Sequence, residues 1–167
     1  MKKIIFLIIF TIYFLSCAIF NSYERQINNF EYPNEQIPNK KIKMTDGYFE
    51  KEFIAGFDAK IQASVVEFKE GYLNNDEIED AVVIIAVSTT GNEIFYYLYA
   101  LTGKDGNLQY IHHILLGDRI KIKLLKVMNK KIYLAFFKDT SDGPIQLKKL
   151  ILGLQNNKIV TIKTVLK

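Results

Sequence analysis

Cysteine is almost missing from this chain: Cys17 is the only one, which leaves no intramolecular disulfide and no Cys-ligated metal, so packing alone must hold the fold. Histidine is nearly as scarce. His112 and His113 are adjacent, and neighbours in a strand point to opposite faces, so the two cannot chelate one ion together. The glycines Gly91, Gly103, Gly106 and Gly143 are dispersed turn residues without phosphate-loop spacing, which leaves nucleotide binding without support. Ser88, Thr89 and Thr90 lie at the end of a strong strand, but no Gly-x-Ser-x-Gly elbow surrounds them. A large charge of one sign is also lacking. The formal +4 falls to +2 if Lys2 and Lys3 are removed with a leader, and Lys121, Lys123, Lys126, Lys148 and Lys149 alternate with apolar residues as on the wet face of a sheet. No nucleic-acid partner is expected.

What is present is an ordinary globular composition, 49% hydrophobic and 24% charged, in a length that suits one domain and would cramp two. The N-terminus is different. Lys2 and Lys3 precede an apolar stretch from Ile4 to Leu15, the layout of an export signal. Leu15-Ser16-Cys17 follows and resembles the end of a bacterial lipobox, in which a small residue precedes a cysteine that receives diacylglycerol before cleavage. Phe14 stands where that pattern usually has Leu. The resemblance implies a signal peptide over 1–16 and lipidation, palmitate included, at Cys17, with the protein held to a membrane of the bacterial cell envelope. Ala18 is not the Asp that retains many lipoproteins in the inner membrane, so the outer membrane or the cell surface is open to it. Two other readings are a cleaved signal with a free Cys17, and an uncleaved anchor of about 17 apolar residues running on to Phe20, at the lower edge of what spans a bilayer.

Residues 17–41 read as a lipidated N-terminus and flexible tether: asparagines, charges, Pro33 and Pro38 mix without a sustained period. Tyr23, Ile27, Phe30 and Tyr32 leave room there for a short helix or a strand that docks on the domain. From residue 42 to 167 the chain reads as a single β-rich domain. Its apolar runs are short, rich in Ile, Val, Phe and Tyr, and cut by turn clusters about every ten residues. Strands are expected at Lys60-Phe68, Asp80-Thr89, Ile94-Leu101, Leu108-Leu116, Ile120-Val127, Ile132-Phe137, Ile145-Leu152 and Ile159-Leu166. Ala81 to Val87 and Ile94 to Leu101 are almost wholly apolar, as in central strands covered on both faces, whereas Ile120 to Leu124 alternates as in a strand wet on one. Residues 46–59 fit a short helix or an irregular strand. Asp118-Arg119 reads as a turn whose charges brace a hairpin, and Tyr97 and Tyr99 should share a face opposite Tyr96. The fold class is therefore mainly β: an antiparallel meander forming a twisted sheet, a sandwich or a small barrel, with room for a short N-terminal helix.

The one stretch with chemical content runs from Gly71 to Val83. Oxygen-bearing residues at alternate positions, closed by a carboxylate, can wrap a calcium ion if the loop turns sharply enough. Gly71-Tyr72-Leu73-Asn74-Asn75-Asp76-Glu77-Ile78-Glu79-Asp80-Ala81 resembles the Gly-Asp-Leu-Asn-Gly-Asp-Gly-x-x-Asp-Ala segment of an uncharacterised family of secreted bacterial proteins and lipoproteins, itself similar to calcium loops of the FG-GAP type. The likeness extends through Phe95-Tyr96-Tyr97-Leu98 and Leu116-Gly117-Asp118-Arg119, about residues 71–131 in all. It implies Asn74, Asp76 and Asp80 as side-chain ligands and the Ile78 carbonyl as a fourth donor. Tyr72 stands where the family has an acidic ligand, and Asn75 and Glu77 stand where it has glycines, so any Ca²⁺ site should be weak. The alternative is a metal-free polar turn.

Two function classes follow. The first is a non-catalytic, membrane-anchored envelope module that meets an envelope protein or glycan through sheet edges or loops. The second is an envelope hydrolase or other enzyme working through Asp76, Glu77, Glu79 and Asp80 beside a metal. No catalytic set stands out, which favours the first.

Overall fold

A computed structural model of the chain describes residues 23–35, 37, 39–52, 60–89, 93–140 and 143–166. The leader, Cys17 and the residues up to Ser22 lie outside that set. The signal-peptide and lipidation expectations therefore rest on sequence. Among the described residues, no helix is long and apolar enough to cross a membrane.

The chain forms a helical turn, α1, over residues 23–28, then β1 (Glu31–Pro33), β2 (Lys41–Lys43), β3 (Tyr48–Glu52), β4 (Lys60–Gly71), β5 (Asp80–Ser88), β6 (Ile94–Lys104), β7 (Asn107–Asp118), β8 (Ile120–Met128), β9 (Lys131–Thr140), β10 (Gly143–Gln155) and β11 (Lys158–Leu166). All pairing is antiparallel. β3 to β7 make a five-stranded meander, β8 to β11 a four-stranded one, and β1 pairs with β2. Two-residue turns set the hairpins. Asp105-Gly106, Asn129-Lys130 and Asn156-Asn157 all take positive φ, the geometry that matches the twist of the flanking strands.

The two large sheets lie face to face. Val82, Ile84, Leu98 and Ala100 from the first cluster with Leu125, Ile132, Leu134, Phe136, Leu150 and Leu152 from the second, while the alternate residues Val83, Ile85, Tyr97, Tyr99 and Leu101 face the other way. That other face is covered by Ile27, Tyr32, Ile37, Ile42 and Met44, all buried. The result is a sandwich with a third, thin layer. It explains the unbroken apolar runs of β5 and β6, since each has a core on both sides. Each large apolar side chain buried there contributes about 1.5–3 kcal/mol of transfer free energy.

Two local expectations need correction. The stretch read as a loose tether docks from Tyr23 onward. Gln26 of α1 caps the β6–β7 turn, its Nε2 donating to the Gly106 carbonyl (2.9 Å) and its Oε1 accepting from Leu108 N–H (2.7 Å). Ile27 and Tyr32 are fully buried, and the Tyr32 hydroxyl donates to the Ile27 carbonyl at 2.9 Å. An apolar sheet face needs a cover, and these scattered side chains supply it without any helical or strand period. The second correction concerns Asp118-Arg119. β7 and β8 do not pair; the chain crosses between the sheets there, with Arg119 at φ +46° and its Nε 2.9 Å from Asp118 Oδ2.

Candidate functional site

The acidic loop occupies residues 72–79, between β4 and β5, at the end of the sandwich that also carries the β6–β7, β8–β9 and β10–β11 turns. Its polar side chains are tied to the chain itself. Asn74 Oδ1 accepts from Asp76 N–H (2.9 Å), and Asp76 Oδ1 accepts from Ile78 N–H (3.0 Å). Asn74 Nδ2 donates to Asp76 Oδ2 (2.7 Å) and to Thr102 Oγ1 (3.4 Å). Such Asx-type bonds let short polar side chains mimic backbone turns. Glu77 holds φ at +60°, a conformation that glycine takes without steric cost, so the turn closes on a strained residue.

Asp80 faces inward. It is fully buried, and its carboxylate collects three donors: Leu73 N–H on Oδ2 (2.7 Å), and Thr102 Oγ1–H (2.8 Å) and Gly103 N–H (3.1 Å) on Oδ1. These bonds tie the loop to the end of β6. Gly103 is needed there because a Cβ would collide with the Glu79 carbonyl, the Tyr23 hydroxyl and Ile78 Cγ2. On the far side of the loop, Gly71 passes so close to Val127 of β8 that a Cβ would lie 2.8 Å from its Cγ1.

Asn74, Asp76, Ile78 and Asp80 are thus neighbours along one loop, and Asn74 and Asp80 both bond the Thr102 hydroxyl. Asn74 and Asp76 hold each other at the surface, Ile78 is exposed, and Asp80 is spent inside on N–H and O–H donors. Calcium would have to share oxygens that already accept these hydrogen bonds. Among the described residues, no group of three His, Cys, Asp or Glu side chains is arranged to hold a metal.

Beside the loop, the sandwich opens into a cleft of about 660 Å³. Amides rim it, namely Asn74, Asn75, Gln109, Asn129, Gln155 and Asn157, and Leu73, Ile111 and Leu154 form its apolar wall. Among the described residues, no carboxylate lines it. Lys130 Nζ donates to Asn75 Oδ1, joining the β8–β9 turn to the acidic loop, and a second cleft of about 750 Å³ lies beyond that bridge, lined by Tyr72, Glu77 and Met128. Sequence reasoning missed the first cleft. Its residues come from three loops distant in the chain and from strands, β6 and β7 among them, and its asparagines looked like turn residues because several of them are.

The histidines part as expected. His112 turns toward β11, where its Nδ1 accepts from Ile159 N–H at 3.3 Å, and His113 turns toward the cover. The His113 ring stacks on Tyr99, with centroids 4.8 Å apart, and its Nδ1 lies 2.8 Å from the Tyr110 hydroxyl. Burial holds this imidazole below its ordinary value; Glu35 pulls the other way, and His112 adds to the depression. Tyr99 Oη donates to the Pro33 carbonyl (2.9 Å), and burial raises its pKa. This aromatic cluster fastens the cover to the sheet. Tyr97 and Tyr99 lie in its core, with Tyr96 on the opposite face.

No family model matches the chain, no curated protein matches its sequence, and no solved structure matches its fold.

Proposed function

We propose that this chain is a membrane-anchored bacterial lipoprotein, tethered through Cys17, whose β sandwich is a non-catalytic binding module for an envelope glycan or protein. The observation that carries the binding role is the cleft beside the acidic loop. Planar amides donate and accept equally well, so a rim of them suits hydroxyl- and amide-rich ligands, and Ile111 with Leu154 offers an apolar surface beneath. A cleft without a carboxylate has no general acid or base of that kind to offer a substrate. Asp80, the most deeply placed acid of the loop, is engaged by three donors. The anchoring half of the proposal is carried by Leu15-Ser16-Cys17 behind its apolar segment.

Soluble fragments of the cell-wall glycan and its peptides, titrated against the protein while amide resonances are followed, should perturb Gln109, Asn129 and Gln155 together. Gln109→Ala with Asn129→Ala should abolish the response. Perturbations scattered over the surface, or none from any envelope fragment, would sink the cleft assignment. For the anchor, mass spectrometry should find diacylglycerol on Cys17, and Cys17→Ser should release the protein from membranes with its fold intact. A mature chain beginning at Met1 would refute it.

A further inference from the structure

Among the described residues, no layer covers one face of the second sheet, and that face is strongly cationic. Over residues 120–166 the described chain carries ten lysines and a single carboxylate, Asp139, whereas residues 23–118 carry fifteen described carboxylates against eight bases. The excess is concentrated by strand alternation. Lys121, Lys123, Lys126, Lys131, Lys149 and Lys163 stand exposed on the face turned away from the first sheet. Register places apolar residues among them. One row across the sheet reads Lys126, Tyr133, Ile151, Lys163, and the next reads Leu124, Ala135, Lys149, Val165. Leu124 is 47% exposed, and Lys123 Nζ sits 5.2 Å from the centre of the Phe137 ring on the same face.

We infer that this face lies against an anionic phospholipid surface. Lysines that project past aliphatic and aromatic side chains suit the bilayer interface, where long stems and apolar groups reach the acyl boundary and the ammonium groups stay with phosphate. Juxtamembrane lysines are drawn to anionic lipid by the surface potential. The inference rests on the anchor proposed above. Tyr23 stands beside Gly103 at the open end of the sandwich, and the six residues before it, from Cys17, extend to about 20 Å at ~3.3–3.6 Å each. Tyr23 packs on the covered side of the first sheet, two layer spacings of about 10 Å from the second sheet, a distance the fully extended tether just spans.

The test uses the full lipidated chain in phosphatidylcholine vesicles with and without phosphatidylglycerol, carrying a fluorophore at Leu124→Cys or, as a control on β3, at Lys51→Cys. With phosphatidylglycerol, spin-labelled lipid should quench the label at 124 several-fold more than the one at 51. The difference should vanish in pure phosphatidylcholine and in about 1 M salt, where screening acts over ~3 Å. Lys121, Lys126, Lys149 and Lys163 changed together to Gln should erase it too, with the β circular dichroism unchanged; changing only Lys126 and Lys149 should halve it. Equal quenching at the two sites, no dependence on phosphatidylglycerol, or quenching displaced by soluble polyanion into a protein-polyanion complex would overturn the inference. So would self-quenching between copies labelled at 124, since a second copy would then be the occupant. Flotation with pure phosphatidylcholine reads the anchor separately: a chain that floats only with phosphatidylglycerol has the cationic face but not the lipid.

Discussion

The two large sheets are built alike, as antiparallel meanders of long strands, yet they are used differently. β5 and β6 have a core on each side, so nearly every side chain from Ala81 to Val87 is buried. β8 has the other sheet on one side only and reads Ile-Lys-Ile-Lys, with Lys121, Lys123 and Lys126 among the residues it turns to water. The lesson concerns layers: the same secondary structure acquires opposite compositions according to how many of its faces another layer takes.

That contrast can be broken most forcefully at the end of the doubly covered sheet. Asp80→Ala strands two backbone N–H groups and a hydroxyl in a buried place and should cost about 4 kcal/mol, read as a shift in chemical denaturation. Asp76→Ala, on the exposed part of the same loop, should cost a small fraction of that. Equal effects would mean that the buried carboxylate is not what ties loop to sheet. Next in size, Leu98→Ala opens a cavity between the sheets and should cost about 3 kcal/mol, while Leu124→Ala on the uncovered face should stay within about 0.5 kcal/mol.

The cover on the first sheet makes a pH-dependent prediction that the second sheet does not. Because burial depresses the His113 pKa, the folded state prefers the neutral ring. The unfolded chain takes up its proton nearer the ordinary value, about 6.5, so stability is full above that pH and declines as pH falls toward the folded pKa. Melting temperatures from about pH 7.5 down to about pH 5.5 should fall, and His113→Gln should flatten the dependence. Glu35, His112 and Tyr110 also face this ring, and none of them reverses the sign. A slope that survives the substitution would place the titration elsewhere.

Smaller effects separate the strained loop from the sheets it joins. Glu77→Gly relieves a left-handed residue and should raise stability by about 0.5–1 kcal/mol, measured by thermal melting; a loss would show that the Glu77 side chain contributes more than its backbone strain removes. Calcium should do least. With a dissociation constant near 1 mM, 1 mM Ca²⁺ adds only about 0.4 kcal/mol, an increment that Asp80→Ala should remove and Tyr72→Asp should enlarge. Micromolar affinity in the native chain would mean that the loop rearranges around the ion far more easily than its internal bonds imply.

The strands were legible because their period is local. Alternation, β-branched runs and Asn-Lys, Asp-Gly and Asn-Asn pairs carry their own geometry, and the eight expected strands fall on β4 to β11 with ends shifted by a few residues at most. The double coverage of β5 and β6 was legible for the same reason, as was the parting of His112 from His113. The docking of residues 23–43 was legible only as an alternative to a loose tether, because Ile27, Tyr32, Ile37 and Ile42 are too widely spaced to show a period and gain meaning only from the apolar sheet face they meet. The inward turn of Asp80 was not legible, since its Oδ1 accepts from Thr102 and Gly103, brought from another strand. By itself, then, the sequence determined which segments are strands and which of their faces are apolar, since both follow from neighbours along the chain. Which faces meet, where the cleft opens and which face is left to the lysines depend on residues distant in sequence, so those were decided only when the layers closed on one another.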